Sequence, residues 1–169
     1  MTELLLRRAD PADAQAVAEV HVRAWQEGYR GLLPDGFLDG LRPEDRAGRY
    51  QFDRTDPGRP ATLLAVEGPS VVGFATTGPS GQDDTIGELL ALYVDPPQWG
   101  RGVGRTLLGA ARRALLERGF EEAMLWVLRG NERAARVYQA DGWSSDGTQR
   151  EDEVWGRTVE EVRYRRRLP

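Results

Sequence analysis

The sequence contains no cysteine and no lysine, and its only histidine is His21. Without cysteine, disulfide bonds, thiolate metal sites and a cysteine nucleophile are excluded. With a single histidine, a zinc site built on histidines is not expected, and the sequence predicts no bound metal. The remaining candidates for chemistry are carboxylates, tyrosines and backbone groups.

Long apolar runs are also missing. No run approaches the roughly 20 apolar residues that span a bilayer, and the first residues lack the apolar region and cleavage site of a signal peptide. The formal net charge of -4 argues against a general nucleic-acid binder. We therefore expect a cytoplasmic protein with neither a membrane nor a nucleic acid as partner. The 169 residues, 40% of them hydrophobic, fit a single domain over 1–169.

Residues 89–108 are the stretch around which the chain is organised. An apolar, β-prone run ends at Val94, because Asp95 and the two prolines after it stop a strand. Glycines then occupy every second position from Gly100 to Gly104. Apolar residues recur at helical spacing from residue 103 onward. The pattern predicts a strand that runs through a glycine turn into a helix.

Such a turn favours phosphate binding. The first N–H groups of a helix have no internal partner, and the helix dipole adds positive potential there. Glycines permit positive φ and close approach of a ligand, and Arg101 and Arg105 add charge. A tight connection whose glycines only satisfy backbone geometry remains an alternative. A P-loop does not fit, because Trp99 stands at its first glycine and Arg105 at its lysine.

A second pattern lies near residue 131. Asn131 opens a predicted helix, Tyr138 follows two turns later on nearly the same face, and Gly142 with Trp143 closes the element. Taken alone, this is also the pattern of an amphipathic helix with an ordinary cap and a packed tyrosine.

Together the two patterns resemble the GCN5-related N-acetyltransferases. Their acyl-CoA motif reads [QR]-x-x-G-x-[GA] after a strand ending in Val-x-Pro; the chain has Val94 to Pro96 and Gly102 to Gly104 at those positions. Trp99 departs from the usual Gln or Arg. The resemblance implies an α/β (α+β) fold with a mixed, mostly antiparallel sheet of about seven strands. It also implies helices on both faces and splayed central strands.

The resemblance further implies acetyl-CoA as co-substrate. Backbone amides from Gly100 to Arg105 would hold its pyrophosphate, and Asn131 would contact its pantetheine arm. A strand amide near Leu92 would polarise the thioester carbonyl. The cofactor-binding residues implied are Leu92, Tyr93, Val94, Gly100, Arg101, Gly102, Val103, Gly104, Arg105 and Asn131.

Tyr138 is the predicted acid. A thiol has a pKa of about 8.5 and a phenol one of about 10, so a nearby phenol can hydrogen-bond to the leaving thiolate and assist its protonation. Glu88 is the first choice of base. Alternatively, Glu88 is an ordinary carboxylate that faces solvent at the start of the strand. His21 is the second candidate base because of the ordinary pKa of histidine, although a lone histidine on an apolar helical face is more often a packed residue.

Residues of the first predicted helix are the candidates for binding the acceptor amine. Trp25 and Tyr29, followed by a G-x-L-P stretch, resemble the acceptor lobe of small bacterial members, and they could equally pack the helix against the sheet. Acidic residues at 83–84 and 151–153 could favour a cationic acceptor, or be solvated faces.

The predicted function is transfer of acetyl from acetyl-CoA to a primary amine of a small molecule or protein by direct attack. A non-catalytic acyl-CoA sensor on the same fold is the alternative, and a different phosphate-binding enzyme is a weaker one. A homodimer is a further possibility.

Element boundaries complete the prediction. Strands are expected at residues 4–8, 61–67, 71–77, 86–94, 123–128 and 158–168. Helices are expected at 11–28, 36–41, 42–52, 102–118 and 131–140. A surface loop is expected at 53–60, and two strand ends around a loop at 144–156.

Overall fold

The computed structural model describes residues 3–53 and 58–168. Within these ranges one sheet has the strand order β1-β2-β3-β4-β5-β7-β6. All neighbouring strands are antiparallel except β4 and β5, which are parallel. The predicted mixed, mostly antiparallel sheet is confirmed. The strands are β1 (Leu4–Arg8), β2 (Ala61–Glu67), β3 (Ser70–Pro79), β4 (Gly87–Val94), β5 (Glu122–Leu128), β6 (Ser144–Val154) and β7 (Arg157–Arg167).

Helices cover both faces of this sheet. Successive strand residues point to opposite faces; on β3, Phe74 packs with Val17 and Val20 of the first long helix, and Ala75 packs in the cluster around Leu107 of the second. We call these the α1 face and the α4 face. The helices are α1 (Ala14–Gly28), α2 (Asp35–Asp39), α3 (Pro43–Ala47), α4 (Val103–Glu117) and α5 (Glu132–Ala140).

The two central strands separate soon after they begin. Only Gly87 and Glu88 of β4 are in register with β5, opposite Ala123 and Met124. The register between β3 and β4 also skips Leu90, a β-bulge that bends β4. The splayed central strands are therefore confirmed, and the opening between the ends of the two strands is called the β4–β5 gap.

Peptide groups that do not bond to β3 line the β4 side of this gap. The Asp95 N–H donates to the Val72 carbonyl at 2.8 Å. Hydrogen-bonded and non-bonded pairs alternate along antiparallel strands, so Tyr93 exchanges its bonds with β3. The peptide groups of Leu92 and Val94 consequently face the gap.

The segment between α1 and β2 is less helical than predicted. The helix expected over 42–52 is α3, which ends before Gly48; glycine disfavours helix continuation by about 1 kcal/mol. Tyr50 and Phe52 instead stack with ring centroids 5.0 Å apart, against the α1 face. The helix expected over 36–41 is present as α2, which spans Asp35–Asp39. The loop expected over 53–60 lies partly outside the described residues.

The prediction of two strand ends around a loop over 144–156 is wrong. β6 is one strand that pairs with β7, with a register irregularity between Ser145 and Gln149. It is an edge strand whose inner positions carry Arg150 and Asp152 rather than apolar side chains. Hydrophobic alternation, which identifies most strands, is therefore missing.

In the described part of the chain, no helix combines the length and the apolar character needed to cross a lipid bilayer.

Candidate active site

The glycine turn before α4 forms an open cradle. Gly100 and Gly102 have φ of +79° and +87°, a region that favours glycine. A Cβ atom added at either position would have no neighbour within 4 Å. The first helical bond runs from the Thr106 N–H to the Gly102 carbonyl at 3.0 Å. The N–H groups of residues 103–105 therefore point out of the helix end, toward open space.

Trp99 ties this turn to the end of β4. Its Nε1 donates to the Val94 carbonyl at 2.8 Å, and the Arg133 guanidinium carbon lies 3.3 Å from its ring centroid. Arg133 has no carboxylate partner among the described residues. The sequence analysis missed Arg133, because stacking between α5 and the turn leaves no local pattern. Arg101 and Arg105 are exposed beside the turn.

Tyr138 of α5 approaches the gap from the α4 face. Its ring meets Trp143 edge-on at 6.3 Å between centroids, and within residues 3–53 and 58–168 no group hydrogen-bonds its hydroxyl. Burial raises the pKa of Tyr138 well above its usual value, and its interaction with Tyr93 adds to the rise. Because the Tyr93 side chain lies on the α1 face, the two phenols interact electrostatically from opposite faces of the sheet.

Asn131 caps α5, since its side-chain oxygen accepts from the Ala134 N–H at 3.2 Å. It also borders an opening of about 210 Å³ on the α4 face, which includes Val127, Ala135 and Tyr164. That opening lies at the end of β5, where the gap is widest.

Glu88 lies at the closed end of the gap, as the last β4 residue in register with β5. A Cβ at Gly87 would meet Leu115 of α4, so the Glu88 side chain points to the α1 face. It is 8% exposed, and no described residue hydrogen-bonds its carboxylate. Burial raises the pKa of Glu88; Arg150 opposes this rise, and the carboxylates of β6 and β7 add to it.

Glu161 is a second carboxylate on the same face. It accepts from Arg150 Nε at 2.9 Å, and Arg150 also contacts Asp152 at 3.4 Å. Burial raises the pKa of Glu161, and its bond with Arg150 opposes the rise. The sequence analysis missed Glu161. Glu161 alternates with Val159 and Arg163 along β7, and this period-two pattern could have identified it as a residue on the same face of the sheet.

His21 is packed among rings. Its ring centroid lies 4.6 Å from that of Tyr93 and 5.0 Å from that of Trp155, and its Nδ1 is 2.9 Å from the Tyr50 hydroxyl. Burial, with the nearby charge of Arg46, lowers the pKa of His21 to about 3. A neutral imidazole of such low basicity is a poor proton acceptor.

Trp25 and Tyr29 lie on the α1 face next to β4. Their ring centroids are 4.7 Å apart, and Trp155 packs 4.3 Å from Trp25. The Tyr29 hydroxyl lies 3.5 Å from that of Tyr93, and burial raises the pKa of Tyr29. An opening of about 250 Å³ lies on this face at the end of β5; its lining includes Leu32, Leu33, Leu128, Arg157 and Val159.

Among the described residues, no three carboxylate or histidine side chains come together as a metal site would require. The groups that border the β4–β5 gap are a cradle of amides at the end of β4, a strand edge with peptide groups that do not bond to β3, the phenol of Tyr138, and a carboxylate with no hydrogen-bond partner among the described residues. Such a set can hold a diphosphate, polarise a carbonyl, accept one proton and donate another.

Comparison with known proteins agrees with this geometry. The model of the acetyltransferase (GNAT) family matches residues 15–143. The uncharacterized N-acetyltransferase YuaI of Bacillus subtilis is 32% identical over 75% of this chain and 72% of its own length. The mycothiol acetyltransferase of Thermobispora bispora is 35% identical over 60% of this chain, but the match spans only 35% of that protein.

A solved structure supports the fold. The PaiA N-acetyltransferase of Thermoplasma acidophilum, determined in complex with coenzyme A, superimposes with a TM-score of 0.72. It is 21% identical, and the match covers 94% of this chain and 98% of that one. The family match, the relatives and the splayed sheet lead to one conclusion: the chain belongs to the GNAT family of acetyltransferases.

Proposed function

We propose that the protein transfers acetyl from acetyl-CoA to a primary amine, of a small molecule or a protein, by direct attack. The observation that carries this proposal is the β4–β5 gap. It directs the peptide groups of Leu92 and Val94 into an opening that Tyr138 approaches from the α4 face and that Glu88 borders at its closed end.

The cradle before α4 suits the diphosphate of acetyl-CoA. Its amides are directed away from the helix, and the surroundings of both positive-φ glycines are open to within 4 Å, which leaves room for a ligand. Arg133, stacked on Trp99, would add positive charge beside it. In this proposal the diphosphate is held by the backbone of Gly100, Arg101, Gly102, Val103, Gly104 and Arg105.

The strand edge suits the pantetheine arm, which would pair with β4 as an added strand. The peptide groups that face the gap belong to Leu92 and Val94; of these, the Val94 carbonyl already accepts from Trp99, which leaves both groups of Leu92 and the Val94 N–H for the arm. The Leu92 N–H would then donate to the thioester oxygen. Asn131 would contribute its side-chain amide, and Tyr93 would act through its side chain, next to the acceptor.

Glu88 is the proposed base. The acceptor ammonium must lose a proton before its nitrogen can attack the thioester carbon. Glu88 would accept that proton directly or through a water, because its carboxylate has no protein partner in the described chain and burial raises its pKa. The new C–N bond places negative charge on the carbonyl oxygen, where the Leu92 N–H would stabilise it.

Tyr138 is the proposed acid. When the C–S bond breaks, the sulfur leaves as a thiolate and requires a proton. Tyr138 is protonated at neutral pH and its hydroxyl has no partner among the described residues, so it is free to donate. Trp25 and Tyr29 would line the acceptor side.

We also propose that residues 1–169 act as one acetyltransferase domain, since the family match falls on elements of a single sheet. A cytoplasmic location and a homodimer remain predictions from the sequence.

The first test concerns the cradle. Gly102→Val should weaken coenzyme A binding by more than about tenfold, or about 1.4 kcal/mol, because its side chain enters the phosphate space. Isothermal titration with coenzyme A measures this. Gly119→Val is the matched control: Gly119 has φ of +94° and open surroundings at the other end of α4. Equal affinity in both variants would remove the cradle from the proposal.

The second test concerns the acid. Tyr138→Phe should lower kcat by about a hundredfold, the usual range for loss of a general acid, because the thiolate would leave without a proton donor. Coenzyme A affinity should change little, since the ring is retained. Thiol release under saturating substrate measures kcat. A full-rate variant would contradict the assignment.

The third test concerns the base. Glu88 acts when deprotonated, so kcat/KM should fall as pH falls through its pKa, which lies above the ordinary 4.5. Glu88→Gln should lower kcat/KM by about a hundredfold and abolish this acidic limb. Glu161→Gln is the comparison, because Glu161 is already paired with Arg150. A limb that survives in Glu88→Gln and disappears in Glu161→Gln would assign the base to Glu161.

A further inference from the structure

Asp141, the residue directly after α5, binds donors from three parts of the chain. Arg112 of α4 donates to both of its carboxylate oxygens, at 2.8 and 3.0 Å. Trp143 Nε1 donates to one of the same oxygens at 3.0 Å, and Arg166 of β7 lies 3.7 Å from that oxygen. The Asp141 side chain is only 14% exposed, and charge-assisted hydrogen bonds are strong where water is scarce. One carboxylate therefore joins the end of α5 to α4 and to the sheet.

The same junction holds the backbone and the ring of Tyr138. The Tyr138 carbonyl accepts from the N–H groups of Asp141 and Trp143, both at 3.0 Å. The buried Trp143 ring meets the Tyr138 ring edge-on. The Tyr138 hydroxyl has no hydrogen-bond partner among the described residues. The direction of this phenol is therefore set by the groups around its backbone and ring, and not by its own hydroxyl.

The amide cradle lies apart from this junction, although α4 contributes to both. Arg112 follows Val103, the first residue of α4, by nine residues, which is about 13 Å along a helix. A change at Asp141 should therefore displace the phenol and leave in place the amides that would hold the diphosphate. The turnover rate and the KM for acetyl-CoA can then respond independently.

We propose that Asp141 positions Tyr138 for the proposed acetyl transfer. By binding Arg112 and the Trp143 indole at once, its carboxylate fixes the end of α5 against α4. The Tyr138 ring, which packs on that indole, is thereby held toward the β4–β5 gap, where the leaving sulfur of acetyl-CoA would take its proton. A displacement of about 1 Å can cost about a hundredfold in rate, so a carboxylate that does not contact the substrate can control kcat. This inference rests on the proposed function and adds a positioning residue to it.

The test is a double-mutant cycle of Asp141→Asn and Tyr138→Phe, assayed by thiol release from acetyl-CoA. The acceptor is the fastest amine of a panel of amino acids, alkylamines and short peptides. Asparagine retains the size of the side chain, but its NH2 group would face the Arg112 or Trp143 donor. We expect Asp141→Asn to lower kcat about tenfold and to leave the KM for acetyl-CoA unchanged. In the Tyr138→Phe background, it should lower kcat by less than about twofold further, because the group that it positions is already lost.

Asp13→Asn is the matched control. Asp13 lies just before α1 and accepts from both terminal nitrogens of Arg7, each at 2.8 Å. Asp13→Asn thus removes another two-pronged carboxylate–guanidinium pair, and it should lower the melting temperature and leave kcat unchanged. If Asp141→Asn does not fold, Arg112→Lys takes its place, because lysine retains the charge but not the planar fork. Its decrease in kcat should likewise disappear in the Tyr138→Phe background.

Two results would overturn the inference. One is an equal decrease in kcat in both Tyr138 backgrounds, which would show that Asp141 serves the fold alone. The other is an unchanged kcat in Asp141→Asn. Failure of the proposed function would look different, since the unsubstituted protein would then release no thiol with any amine of the panel.

Discussion

The rest of the site depends on the separation of β4 and β5, which do not pair beyond their first residues. After Glu88 and Met124 the two strands separate, which leaves Leu92 and Val94 with peptide groups directed into an opening. Buried backbone groups without partners are costly. A ligand that supplies those partners, as an added strand would, is therefore stabilised by the same groups that destabilise the empty gap.

The two faces of the sheet contribute different chemistry to this opening. The α4 face provides the amide cradle, the Trp99–Arg133 stack and Tyr138, which together suit a phosphorylated thiol carrier. In the proposed reaction the α1 face provides Glu88 and the rings of Trp25 and Tyr29, beside which the amine would bind. The donor and the acceptor would therefore approach from opposite sides and meet only where the sheet is open.

Short sequence patterns made the site residues on the α4 face predictable. The site residues on the α1 face carry no such pattern. Glycine spacing and a helix start lie within a few residues of each other, so the turn at 100–105 could be read from the sequence. Arg46 of α3 lies over the ring of Trp155 in the β6–β7 turn, and Glu161 accepts from Arg150 across the two strands; no short pattern encodes either contact. The same holds for β6, where charged side chains replace the apolar alternation of a strand. The sequence leaves His21 as the second candidate base or, more often for a lone histidine, a packed residue; the surrounding rings and the pKa lowered by burial favour the packed one.

Amide hydrogen exchange with and without coenzyme A tests the central claim most directly. Coenzyme A should slow exchange at Leu92 and Val94, whose N–H groups face the gap, and leave Ala91 and Tyr93 unchanged, because they already bond to β3. Coenzyme A should also slow amide hydrogen exchange at residues 103–105. Binding of coenzyme A without any change at Leu92 and Val94 would contradict the account.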